Sequence, residues 1–188
     1  SYKDDGKSYE AVYEREHAPG FRWLHESFGT NWRMTEMQAA IGRIQLKRMA
    51  DWTQKRRNNA EKIWQTAREC NGLRVSNIPD TMGHAAYKCY VFVEPDKLKA
   101  GWDRDRIMQS IVDKGVPCFS GSCSEVYKEK AFDGKGYHPS APLKNAIELA
   151  DTSLMFLVHP TLAPEEIEKS CDFLDYLYDN NFTLLGYR

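Results

Sequence analysis

Cysteine is sparse and scattered in this chain. Its 188 residues hold five, Cys70, Cys89, Cys118, Cys123 and Cys171, an odd number with no Cys-x-x-Cys pair. That spacing argues against a disulfide framework and fits free thiols in a reducing compartment, so a cytoplasmic protein is expected. His17, His25, His84, His138 and His159 show no H-E-x-x-H spacing and no cysteine partner at zinc-finger distance, so no metal is expected. No apolar run approaches the roughly 20 residues of a bilayer span and no signal-peptide pattern is present, so no membrane partner is expected. Neither sign of charge dominates. Lys and Arg number 26 against 27 Asp and Glu, a net charge of −1 that gives no global pull towards nucleic acid or anionic lipid. Loops of the G-x-x-x-x-G-K-[ST] and G-x-G-x-x-G kinds are missing, as are internal repeats and low-complexity segments.

What is present suits a folded domain: 41% hydrophobic and 28% charged residues, with length enough for one sizeable core. The opening, Ser1-Tyr2-Lys3-Asp4-Asp5-Gly6-Lys7-Ser8-Tyr9, has no methionine and reads as a piece of a longer chain. Residues 1–34 lack periodicity yet carry Tyr2, Tyr9, Tyr13, Phe21, Trp23, Phe28 and Trp32. So many rings in an irregular stretch need a surface or a partner subunit to pack on.

The strongest local signal lies in Phe28-Gly29-Thr30-Asn31-Trp32-Arg33-Met34-Thr35-Glu36-Met37-Gln38. Thr35 and Gln38 have capping-box spacing, so a helix starts just after Asn31, Trp32 and Arg33. Side chains there stand beside free amides and the positive end of the macrodipole, a setting that favours an anionic group. An ordinary capped helix has the same pattern.

The helix is expected to run to about Glu69, with Asn71-Gly72 as its stop, giving a rod about 50 Å long. Met37, Ile41, Ile44 and Trp52 form one stripe and Leu46 and Met49 another, which predicts burial on more than one side. Lys55-Arg56-Arg57 allows a DNA contact, but the neutral net charge favours a solvated helix face. Beyond the helix, alternation predicts a strand over 86–93. A helix capped by Asp103 or Asp105 follows, with Ile107 and Ile111 on its apolar face. Then come a short strand over 116–120, a short helix over 124–132, a loop over 133–142, and a helix marked by Leu143, Ala146, Ile147 and Ala150. A strand over 154–158 and a closing helix from Pro164, with Ile167, Cys171, Leu174 and Tyr178 on one face, complete the chain. The expected class is α+β: a long N-terminal helix, then a small, mainly antiparallel sheet with helices on one face. The expected division is 1–34 irregular, 35–72 connecting helix and 73–188 small domain. Cys118 and Cys123 flank Phe119-Ser120-Gly121-Ser122. A nucleophilic cysteine there needs a base such as His138 or His159, and buried, inert thiols are the plainer reading.

The stretch from Phe28 to Gly42 closely resembles the G-x-N-x-R-M-x-x-x-Q-A-A-x-G pattern of the DegT-type sugar aminotransferases, pyridoxal-phosphate enzymes of the aspartate-aminotransferase fold (fold type I). Ser1–Lys7 resembles the family's segment after its cofactor-lysine region. Ala86–Val93 resembles its first small-domain strand, and Leu154–Ile167 its closing strand and helix. The resemblance implies transfer of an amino group from an amino-acid donor, often glutamate, to a keto group on a nucleotide-linked sugar. The products enter lipopolysaccharide, capsule or antibiotic sugar pathways. It also implies a homodimer with its active site at the interface. There Asn31 reaches the cofactor phosphate of the neighbouring subunit, and Trp32 and Arg33 line or brace the same cleft. By the same resemblance, the Schiff-base lysine, the ring-stacking aromatic and the aspartate on the ring nitrogen precede Ser1. The chain alone is therefore expected to hold no catalytic residue, bind no cofactor and be inactive. Some relatives replace the lysine by histidine and dehydrate sugars instead. Cys123 stands where many relatives have a histidine that helps hold the nucleotide-sugar, four residues before an aromatic matching Tyr127. The alternative is a stand-alone regulatory or interaction module, with nucleic acid as its partner through Lys55-Arg56-Arg57.

Overall fold

A computed structural model describes Phe28, residues 34–121 and residues 124–179. Helix α1, Glu36–Glu69, starts at the expected cap: Thr35 is extended, its hydroxyl accepts from the Gln38 amide at 3.3 Å, and its own amide donates to Gln38 Oε1 at 2.9 Å. Gly72, at φ +95, turns the chain away, in a backbone region that glycine enters freely.

Burial along α1 is lopsided. Ala60, Ile63, Trp64 and Ala67 are buried, whereas Met37 is 76% and Ile41 58% exposed, and Ile44, Leu46 and Met49 are also exposed. Two-sided burial is thus not met among the described residues. Helix α1 meets the other described elements chiefly through its second half, against the first strands and the closing helix.

Four strands, β1 Leu73–Val75, β2 Cys89–Val93, β3 Cys118–Phe119 and β4 Ser153–Phe156, form an antiparallel sheet in the order β1-β2-β4-β3. Leu73, Cys89, Val91, Val93, Cys118, Leu154 and Phe156 are buried together on one face. The same core takes Ile107 and Ile111 from α2, Arg104–Asp113, and Ile167 and Leu174 from α4, Pro164–Asp179. Asp103, not Asp105, caps α2, accepting from the Arg106 amide at 2.8 Å. The shorter α3, Lys144–Thr152, is tied to the other face, where Arg74 lies 4.5 Å over the Phe92 ring and pairs with Glu148 at 2.7 Å.

Some sequence expectations shift. Strand β1 has no counterpart among them, because three residues carry too little alternation to register. Strand β2 begins at Cys89 rather than Ala86, since Ala86 is buried at φ +46 and breaks the extended run. The expected helix over 124–132 is instead two 3₁₀ turns, Val126–Lys128 and Lys130–Phe132, because Glu129 between them is extended at φ −63, ψ 135.

Arg104 joins three elements. Its guanidinium donates to the carbonyls of Ala150 at 3.0 Å and Ser153 at 3.1 Å and to Asp105 at 2.6 Å. Arg104→Met is expected to lower stability by roughly 2 kcal/mol, because two carbonyls lose their donor. A urea melt checks it, and an unchanged midpoint would show the carbonyls to be satisfied otherwise.

Candidate functional site

Asn31, Trp32, Arg33 and Cys123 lie outside the described residues; Tyr127 lies inside them. What surrounds them is informative. The capping box uses the Thr35 and Gln38 amides internally, and Glu36 brings its own carboxylate to the first turn. The described part of the helix start therefore spends two of its amides on its own cap.

Phe28, in the approach to the helix, packs edge-on against Phe132, ring centroids 5.0 Å apart. Phe132 in turn meets Tyr137 at 6.4 Å, and Tyr127 meets His138 at 6.5 Å. Phe28 is thus a neighbour of the segment bearing Tyr127.

That segment is tied to the sheet. At its start, Ser153 Oγ donates to the Ser120 carbonyl at 2.8 Å. Gly121 sits at φ +91, and a Cβ on it would lie 2.7 Å from the Tyr90 ring. Further on, Glu125 is buried, only 3% exposed, yet ionic. The Tyr127 phenol donates to its Oε1 at 2.5 Å and the Lys128 ammonium donates to its Oε2 at 2.7 Å. The Lys128 ammonium, then the Tyr127 phenol, hold the Glu125 carboxyl below the usual carboxylate range. The hydrogen bond to Glu125 in turn raises the pKa of the Tyr127 phenol and of the Lys128 ammonium. A carboxylate with a depressed pKa in the fold stabilises it above the unfolded value, and that contribution is lost as pH falls through the folded value. The thermal midpoint is therefore expected to drop on acidification below the ordinary carboxylate range. Glu125→Gln should remove part of that drop; the same acid sensitivity in the variant would assign it to other carboxylates.

Sequence reasoning passed over Glu125 and Gly121. Glu125 and Lys128 stand at i,i+3, a spacing that does signal a local ion pair. Gly121 is recognisable only through its contact with Tyr90, 31 residues away in the chain.

The cysteine nucleophile loses its basis at Cys118. Burial pushes that thiol up to about 12, and burial also raises Cys89 and Cys171. His138 faces Tyr127, and His159 lies 2.7 Å from the Thr161 hydroxyl with Trp52 beside it. In the native protein, Cys118 is expected to resist iodoacetamide at neutral pH until denaturant is added. Rapid native labelling of Cys118, mapped by peptide mass, would contradict its burial.

Lys55-Arg56-Arg57 has structural work. Arg57 Nε donates to the His84 carbonyl at 2.6 Å, and Arg56 reaches the Tyr87 carbonyl at 3.5 Å and lies 5.5 Å over the Tyr87 ring. The two guanidinium groups staple the segment before β2 to α1. That use weighs against a nucleic-acid contact.

A pyridoxal cofactor needs a lysine in a protected site. Every described lysine is exposed or only half-buried, and Lys128 is paired with Glu125. The described residues therefore do not fit the covalent anchor of that cofactor. Among them no group of three or more His, Cys, Asp or Glu is placed to hold a metal, and no helix is long and apolar enough to cross a membrane.

Comparison with known proteins agrees with the motif. An aminotransferase of known structure from Psychrobacter cryohalolentis is 55% identical, with a TM-score of 0.75, over 96% of this chain and 48% of that one. Among curated proteins, the erythromycin biosynthesis sensory transduction protein EryC1 of Saccharopolyspora erythraea is 28% identical over 77% of this chain and 37% of its own length. The spore coat polysaccharide biosynthesis protein SpsC of Bacillus subtilis is 28% identical over 78% of this chain and 38% of its own. The chain thus spans well under half the length of the curated relatives it matches. Pyridoxal 5′-phosphate is the cofactor of the intact enzymes of this kind. The profile of the DegT/DnrJ/EryC1/StrS aminotransferase family matches residues 5–175, and the chain belongs to that family.

Proposed function

We propose that this chain is the C-terminal part of a pyridoxal-phosphate aminotransferase that aminates a keto nucleotide-sugar for polysaccharide or lipopolysaccharide sugar biosynthesis. The observation that carries the reading is the family match over 5–175 together with the capped helix start that follows Asn31, Trp32 and Arg33. The names of relatives support the sugar context: one is a spore coat polysaccharide biosynthesis protein. Residues 1–34 belong to the subunit interface, 35–72 form the connecting helix and 73–188 the small domain. The assembly is a cytoplasmic homodimer. Its second subunit, with the rest of the enzyme, covers the apolar face that Met37, Ile41 and Ile44 expose.

In that assembly, Asn31 holds the cofactor phosphate, and Trp32, Arg33, Cys123 and Tyr127 line the sugar side of the cleft. The cofactor supplies an electron sink for the transferred amino group, and a lysine outside these 188 residues anchors it. The 188 residues alone therefore do not transaminate.

The test is amino transfer from glutamate to a keto nucleotide-sugar, with added pyridoxal phosphate, by this chain and by its full-length protein. Transfer by the full-length protein only is expected. Transfer by neither would remove the enzymatic reading, and transfer by the isolated chain would show that it carries its own anchor.

A further inference from the structure

His84 and His159 repeat one arrangement at the same end of the two central strands. His84 lies just before β2 and His159 just after β4, where Cys89 stands opposite Phe156. Each imidazole turns Nδ1 back on its own chain, to the amide two residues on: Ala86 at 3.1 Å and Thr161 at 3.4 Å. Each backbone carbonyl accepts from a side chain of α1, His84 from Arg57 Nε at 2.6 Å and His159 from Asn59 Nδ2 at 3.5 Å. Each ring stands tilted against an α1 tryptophan, His84 at 5.7 Å from Trp64 and His159 at 6.4 Å from Trp52. An amide can only donate, so both bonds need a bare Nδ1 and the ring proton on Nε2.

We propose that the two histidines clasp the central strands to α1, and that proton uptake opens the clasp at His84 while the one at His159 holds. Both residues are exposed, so protons reach them from solvent. An imidazolium carries a proton on each nitrogen, and its Nδ1 can no longer accept. At His84 the partner is an amide alone. Ala86 is buried, and its amide has no other acceptor among the described residues. It is also the one non-glycine residue at positive φ among them, at φ +46, a conformation that alanine holds only with support. The charge lying against this segment is Arg57, a cation, which gives an imidazolium no partner. Further along, Arg56 and Lys88 lie over the Tyr87 ring, and Glu61 on α1 is paired with Arg68 at 2.8 Å. At His159, by contrast, the Thr161 hydroxyl stands 2.7 Å from Nδ1. A hydroxyl donates or accepts, so it turns round and takes the new proton's bond. Arg48 lies over the Trp52 ring on that side, and Glu166 of α4 is bonded to the Ala163 amide. Opening at His84 therefore loosens the start of β2 from α1, beside the buried Trp64, and leaves the end of β4 in place.

The experiment uses the 188-residue protein labelled with ¹⁵N. Ring-nitrogen shifts give the tautomer of each histidine, the two signals being identified by their loss in His84→Asn and His159→Asn. At pH 8 both rings should carry their proton on Nε2. Hydrogen exchange of the Ala86 and Thr161 amides, each scaled to an unstructured peptide at the same pH, reads the two clasps. Between pH 8 and pH 5 the protection of Ala86 should fall roughly tenfold, the worth of one hydrogen bond, while that of Thr161 holds. Asparagine offers a carbonyl in place of Nδ1 and does not titrate, so His84→Asn should keep Ala86 protected at pH 5. If that variant does not fold, the tautomer and the two amides of the wild type still decide. A proton on Nδ1 of His84 at pH 8, equal protection of Ala86 at both pH values, a parallel fall at Thr161, or the wild-type loss repeated in His84→Asn would overturn the inference. None of these readouts needs amino transfer, so failure of the enzymatic reading is seen separately.

Discussion

Phe156→Ala is expected to destabilise the protein by about 3–5 kcal/mol. Phe156 is 1% exposed and lies on β4, the strand between β2 and β3. It stands opposite Cys89 on one side and Cys118 on the other, so its ring joins three strands to the helices above. Removing it opens a cavity at a point where backbone on both sides is held by ladder hydrogen bonds and cannot collapse inward. Phe119 is the internal control. It pairs with Met155 on the same edge of the sheet but faces the other way and is 47% exposed. Phe119→Ala is expected to cost less than about 1 kcal/mol, since much of its surface stays wet in the fold. Urea melts of both variants decide the matter. Equal losses would mean that the register of β3 is one residue off, because a one-residue slip exchanges the two faces of a strand.

Gly121→Ala comes second, and its effect reaches the candidate site. Two penalties coincide there. At φ +91 an alanine is strained by roughly 1–2 kcal/mol. Its methyl would also sit 2.7 Å from the Tyr90 ring, so that ring or the segment must give way. Tyr90 is stacked on Phe92 at 6.3 Å, which limits how far it can yield. A total of about 2–3 kcal/mol is expected, with the segment leading to Glu125 and Tyr127 displaced. Gly134→Ala separates the two penalties. Gly134 lies at φ +67, and no atom comes within 4 Å of the place its new methyl would take, so only backbone strain remains. If both variants lose the same stability, Tyr90 moves aside freely and the contact holds nothing in position.

The sequence is most legible where one local rule decides the structure. The capping box at Thr35 and Gln38, a cap at Asp103 or Asp105 and the apolar faces of α2 and α4 all follow from spacing within a few residues. The small antiparallel sheet with its helices follows from the element order. Legibility fails where distant contacts decide. Nothing near Ala86 announces its positive φ, which depends on a segment pinned to α1 by Arg56 and Arg57. The segment after β3 reads as a helix over 124–132, but Glu129 is extended and splits it into two 3₁₀ turns. The stripe of Met37, Ile41 and Ile44 is read as buried, yet all three are exposed, because the described elements meet α1 through its second half. For the site, the motif that includes Asn31 is visible in the chain. Of the Glu125–Tyr127–Lys128 arrangement only the i,i+3 spacing is, since a buried carboxylate looks in sequence like any surface glutamate.

Cofactor affinity is the most direct measure of the account. In the full-length protein, Asn31→Ala should raise the dissociation constant for pyridoxal phosphate roughly tenfold, the loss of about one hydrogen bond to a charged phosphate. The same substitution should leave the thermal midpoint of the cofactor-free protein unchanged. Wild-type affinity in Asn31→Ala would contradict the proposal that this residue holds the cofactor phosphate.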